Sequence, residues 1–129
     1  MKYVILIHSN PQPWGHPTSD FNAEYQKLSP QERERGGAAF EALLTQMQDA
    51  SELVSAEALG DPAAATLYRW DGGVVASDGP YAETKEHFAG YFLIDVASRE
   101  RAEEIAAAFA CPGDIIELRP TMWPGGDDA

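Results

Sequence analysis

Two strand–helix–strand units separated by a hairpin predict an α+β fold, a ferredoxin-like sheet with its helices on one face. Three observations carry this: short β-branched runs bounded by breakers, two capped amphipathic helices, and an Asp-Gly-Gly turn between them. The first run, "KYVILIH" (2 to 8), ends at Asn10-Pro11-Gln12-Pro13 and reads as a buried strand. A loop rich in Pro and His follows, with a helical turn or two over residues 21 to 28. Ser29-Pro30-Gln31-Glu32 then starts a helix: Ser29 caps, Pro30 fits the first position, and Glu32 completes a capping box. Phe40, Leu43, Leu44 and Met47 form its apolar stripe. Gly36-Gly37 inside it marks a kink or a close backbone contact.

"ELVSAEAL" (52 to 59) reads as the second strand. "ATLYRW" and "VVASD" flank Asp71-Gly72-Gly73 as a hairpin. "HFAGYFLIDV" (87 to 96) is a buried strand, Ser98 caps a helix with Ala102, Ile105 and Phe109 inward, and "DIIELRP" (114 to 120) is the last strand. One domain is expected over 1–122, with 123–129 a loose tail.

Two helices cover one face of a sheet, which leaves the other to be accounted for. Alternation sorts the strands into an aliphatic set and a mixed set. Val4, Leu6, Phe92, Ile94, Val96, Ile116 and Leu118 are expected under the helices. Tyr3, Ile5, Ile7, Tyr91, Leu93, Asp95, Ile115, Glu117 and Arg119 are expected on the open face, joined by Tyr68 and Trp70 if the hairpin extends the sheet. A face so apolar, yet carrying aromatics and charges, marks an interface or a ligand groove, or is a half-exposed amphipathic sheet. Two copies packed sheet to sheet would satisfy it.

Composition narrows the function classes. The chain has 129 residues, 44% of them hydrophobic, which fits a globular domain. Lys plus Arg number 9 against 21 Asp plus Glu, for a formal net charge of -12. So acidic a surface repels phosphate backbones, so direct nucleic-acid binding is not expected. No stretch approaches the roughly 20 apolar residues of a membrane helix. The N-terminus lacks a signal-peptide pattern, and the lone Cys111 suits a reducing compartment, so a cytoplasmic location is the expectation.

Asp78-Gly79-Pro80-Tyr81-Ala82-Glu83-Thr84-Lys85-Glu86, followed by Gly90-Tyr91-Phe92-Leu93-Ile94-Asp95, resembles the signature of the YCII-related family in its DGPF-domain branch. Tyr81 stands where that branch usually has Phe. The opening "MKYVILIH" and the closing Glu117-Leu118-Arg119-Pro120 are similar to family landmarks. The resemblance implies a homodimeric α+β barrel of ferredoxin-like subunits. It further implies either a His-Asp pair for chemistry or a protein-level link to an extracytoplasmic-function sigma factor.

Candidate residues follow from both lines. Asp78, at a strand end, either faces a cleft as a tunable carboxylate or accepts N–H groups in its own turn. His8 ends the first strand as its proton-transfer partner, although alternation turns it toward the helices, where a structural role is the competing reading. His16 and His87 are the alternatives. Tyr81, Lys85, Tyr91 and Arg119 are expected to bind a small polar organic ligand. Arg119 serves as an anion anchor, or pairs with Glu117 or Asp95. Residues 78 to 85 are expected to line a pocket rim. The scattered histidines have no metal-ligand spacing, and no glycine pattern cradles a phosphate, so neither metal nor cofactor is expected. The chemistry foreseen is a cofactor-free isomerase or lyase step. A non-catalytic ligand-binding or regulatory dimer is the alternative.

Overall fold

The strands and helices form where the local signals lie. In the computed structural model, residues 1–79 and 86–122 are described. Their order is β1 (Lys2–Ser9), α1 (Ala23–Gln26), α2 (Pro30–Asp49), β2 (Leu53–Ala58), β3 (Thr66–Trp70), β4 (Val74–Asp78), β5 (His87–Asp95), α3 (Arg99–Phe109) and β6 (Ile115–Pro120). The Ser29 hydroxyl accepts from the Glu32 N–H while the Glu32 carboxylate accepts from the Ser29 N–H, closing the capping box of α2. Ser98 caps α3 through the Arg101 N–H. Gly72 has a φ of 69°, in the left-handed region that Asp-Gly-Gly turns exploit. Helix α2 runs unbroken through Gly36, where an added Cβ would come within 3.2 Å of the Tyr25 hydroxyl. The close contact with Tyr25 is what that glycine serves.

Four strands form one α+β sheet in the order β2-β5-β1-β6, every neighbouring pair antiparallel. Its buried centre is Tyr3 and Ile5 of β1, Ile94 of β5, Met47 of α2, and Ala102, Ile105 and Phe109 of α3. Ile5, Ile94 and Ile105 have no exposed surface, which is worth roughly 1.5–3 kcal/mol for each side chain. Phe40, Phe92 and Phe109 meet edge to face, with centroids 4.7 to 6.4 Å apart.

This core corrects the phase expected for β1. Ile5 lies opposite Phe92 and Leu118, so Tyr3, Ile5 and Ile7 face the helices while Val4, Leu6 and His8 take the open face. Both alternating sets of "YVILI" are apolar, so hydrophobicity alone carries no phase; pairing with β5 and β6, whose assignments hold, decides it. A register shift between Ile7 and His8 puts His8 opposite Phe88. His8 therefore does not lie under the helices.

The hairpin is a second correction. β3 and β4 form their own two-stranded sheet and do not extend the main one. Its base is closed by the Gly79 N–H donating to the Ala65 carbonyl, and a short turn at Pro62–Ala64 separates it from β2. Tyr68 and Trp70 are 69% and 77% exposed and add nothing to the open face.

Candidate functional site

On the open face His8, Glu117 and Arg119 form a hydrogen-bonded charge chain. His8 Nε2 lies 2.9 Å from Glu117 Oε1, and Arg119 Nε donates to Glu117 Oε2 at 2.9 Å, with Nη2 on the same oxygen. The His8 contact first, then Arg119, holds the Glu117 carboxyl below its ordinary range. An ionised carboxylate only accepts, so His8 Nε2 carries the proton and a neutral ring keeps its lone pair on Nδ1. Phe88 leans over the imidazole at 6.1 Å. Tyr91 shares this face, since Leu6 lies opposite both Tyr91 and Glu117. The structure thus gathers His8, Tyr91 and Arg119 on one face, with Arg119 in the ion pair to Glu117 that its alternative reading named.

Asp78 ends β4 in the separate hairpin, exposed and opposite Thr66. The carboxylate at His8 is Glu117. Tyr81 and Lys85 lie outside the described residues, as does the tail 123–129.

On the helix side the sheet and α2 diverge into a cleft of about 1030 Å³. Small residues make the room: Gly36, Gly37 and Ala38 on α2, Ala56 on β2, Gly90 on β5 and Ala108 on α3 line it. Ile7, Phe92, Phe109 and Ile116 form an apolar floor. Polar and charged groups, His16, Arg33 and Asp114 among them, share the lining with these apolar residues, a mix that suits a small-molecule site.

His16 lines this cleft, and its Nε2 lies 2.7 Å from the Leu59 carbonyl, which also accepts from Trp14 Nε1 at 2.9 Å. A carbonyl cannot donate, so Nε2 is the protonated nitrogen and a neutral His16 presents Nδ1 as a base. Also in the lining, Asp114 accepts from the Ser9 hydroxyl, from Thr18 Oγ1 at 3.0 Å, from Asn22 Nδ2 at 2.9 Å and from the Cys111 thiol at 3.4 Å. Burial, then the Asp114 charge, pushes the Cys111 thiol up to about 12, which excludes it as a nucleophile near neutrality. Burial, then the nearby Asp20 charge, also raises the Tyr25 phenol.

Comparison with known proteins matches the YCII-related domain over residues 1–117. The chain belongs to the YCII-related family. An uncharacterized protein of Rhizobium meliloti (strain 1021) is 50% identical over 44 residues, 34% of this chain and 36% of the relative. The match thus spans about a third of that relative's length. Within this YCII-related chain, the cleft residues Arg33, Asp114 and the small-residue wall escaped the sequence reading. Gly36-Gly37 was the signal that could have found the wall, because two glycines inside a capped helix leave room that something must use. Asp114 gave none: apart from Cys111, three residues before it, its donors lie 92 to 105 residues away.

Proposed function

We propose that this chain binds a small polar organic molecule between its sheet and its helices and moves a proton on it without a cofactor, as in an isomerase or lyase step. His16 is the acid–base group of this reading. One observation carries it: a cleft of about 1030 Å³ has an apolar floor and an imidazole whose Nε2 is committed to the Leu59 carbonyl. The sequence-derived roles of His8, Tyr91 and Arg119 belong to the opposite face, where a second copy would complete a pocket. There His8 would act through its pairing with Glu117, and Asp78 would have to be brought in by the hairpin. Strand order β2-β5-β1-β6 supports a ferredoxin-like subunit, and the apolar open face supports sheet-to-sheet pairing into a dimeric α+β barrel. The stretch from Asp78 to Glu86 supports the DGPF branch, and the unpaired Cys111 suits a cytoplasmic setting. No helix among the described residues is long and apolar enough to cross a membrane.

A second reading, favoured by one feature of the cleft, leaves out turnover. Asp114 is saturated by four donors and Cys111 is held as a neutral thiol, so these polar groups of the lining already serve the fold. The protein is then a ligand-binding or regulatory dimer, acting beside an extracytoplasmic-function sigma factor through protein contact. Fragment binding followed by amide NMR, together with deuterium uptake from heavy water at carbons next to a carbonyl, separates the two. Binding at the Gly36, Gly90 and Ala108 amides with His16-dependent uptake is the expected result. Binding without uptake makes it a sensor, and fragments that leave those amides unmoved overturn both cleft readings.

A further inference from the structure

From the groups around the cleft we infer the class of its occupant: a neutral carbonyl compound with an apolar, ring-sized body. The inference rests on the cleft reading above and adds the chemistry of recognition. Its starting point is Arg33, on the cleft wall. Arg33 Nη1 donates to Gln26 Oε1 at 2.9 Å, and the Arg33 backbone carbonyl accepts from the Tyr25 hydroxyl at 3.2 Å. Its Nε, buried, has no hydrogen-bond partner among the described residues. Nor does the guanidinium have a carboxylate within ion-pair distance among them. A buried donor without an acceptor is costly, more so on a charged group, and a turn of the half-buried Arg33 side chain toward the cleft would offer that N–H to an oxygen that arrives with a ligand.

The surroundings decide which oxygen. Asp20, Glu34, Glu41, Glu57 and Asp114 line the same cleft, and Arg33 is the arginine that stands against them. Their field, within a chain of net charge -12, disfavours a carboxylate or phosphate ligand more than the single Arg33 favours it. A ketone, ester or lactone oxygen accepts one hydrogen bond and brings no charge. The walls supply the rest. Phe92, Phe109, Ile7 and Ile116 offer a floor for an apolar ring, and Gly36 and Gly37 leave room for its thickness. In this arrangement Arg33 polarises the carbonyl while His16 Nδ1 stands as the base for a proton on the neighbouring carbon. That proton would pass to His16 and the electron pair to the carbonyl oxygen; where the ligand carries a β,γ double bond the product is a dienolate, and return of the proton to its γ carbon balances an isomerisation.

The test uses two probes of one size and opposite charge state, 4-phenyl-2-butanone and 3-phenylpropionate, titrated into the full chain and followed by amide NMR. The ketone is expected to shift the Gly36, Gly90 and Ala108 amides saturably, and the carboxylate to bind at least about tenfold more weakly. Arg33→Lys keeps the positive charge and loses the Nε donor, so it should weaken the ketone about tenfold. Arg33→Met should do the same with amides outside the cleft unchanged, which controls for folding. Equal binding of the two probes, or an unaffected Arg33→Lys protein, overturns the carbonyl assignment while leaving the cleft reading in place. If neither probe moves the cleft amides, the cleft reading itself falls.

Discussion

Asp114 shows how a single carboxylate can be wholly used by the fold. Hydroxyls from β1 and the following loop, the Asn22 amide and the Cys111 thiol all donate to it, tying chain segments about 100 residues apart. Nothing in the sequence marks this meeting, because each partner is an ordinary polar residue whose role depends on distant packing. Its readout is Cys111. A group whose folded pKa is raised to about 12 stays protonated over the working range and loses its proton only as pH climbs toward that value. At pH 8 its thiolate fraction is about a thousandfold below that of a free cysteine, since the ordinary thiol pKa is about 8.5. Iodoacetamide should therefore label Cys111 about a thousandfold more slowly than a model peptide at pH 8. Its rate should go on rising about tenfold per pH unit at pH 9 and 10, where the peptide levels off. A rate that plateaus near pH 9 would show the thiol to be neither buried nor paired with Asp114.

Among the elements, the legible parts were those fixed by neighbours in sequence. Ser29 with Glu32, Ser98 with Arg101, and the Asp-Gly-Gly turn all act within three or four residues, so the capped helices and the hairpin could be read directly. The phase of β1 could not, because Val4 and Leu6 are as apolar as Tyr3 and Ile5, and only the register to β5 and β6 breaks the tie. That misphasing is what put His8 on the wrong side of the sheet and hid its contact with Glu117. Another long-range tie pins α3: Arg101 grips Glu52 with two bonds of 2.8 and 2.9 Å, holding the turn before β2 to the helix. Glycines report each element's local packing. An added Cβ at Gly37 of α2 meets nothing within 4 Å, whereas at Gly90 of β5 it would stand 2.8 Å from the Glu57 carbonyl. Gly37→Ala should stabilise the protein by about 0.5–1 kcal/mol through helix propensity. Gly90→Ala should destabilise it by about 1–3 kcal/mol, because β2 must move off β5. Urea unfolding of the two variants checks both signs, and a stabilised Gly90→Ala protein would mean that edge strand β2 is held more loosely than its backbone pairing implies.

For the whole molecule the controlling quantities are an apolar open face and a large negative charge. Val4, Leu6, Tyr91 and Leu93 occupy that face, with Phe88 and Ile115 45% and 53% exposed beside them. Burying such a face against a second copy is favourable by about 25 cal/mol per Å² of apolar surface. Opposing it is the repulsion of two chains each carrying a formal charge of -12. The two terms respond differently to salt. Apolar burial is almost indifferent to moderate ionic strength, while repulsion between separated charges is screened over about 30 Å at 0.01 M and about 8 Å at 0.15 M. The proposed homodimer is therefore expected to tighten as salt rises, opposite to an association held by attraction between unlike charges. Sedimentation equilibrium at low and physiological ionic strength measures this directly. Leu6→Glu, which places a charge in the middle of the face opposite Tyr91 and Glu117, should give a monomer at both, with the helix-side core intact by circular dichroism. A wild-type dimer that loosens with salt, or a Leu6→Glu protein that remains dimeric, would place the contact surface elsewhere and leave the open face without a partner of its own kind.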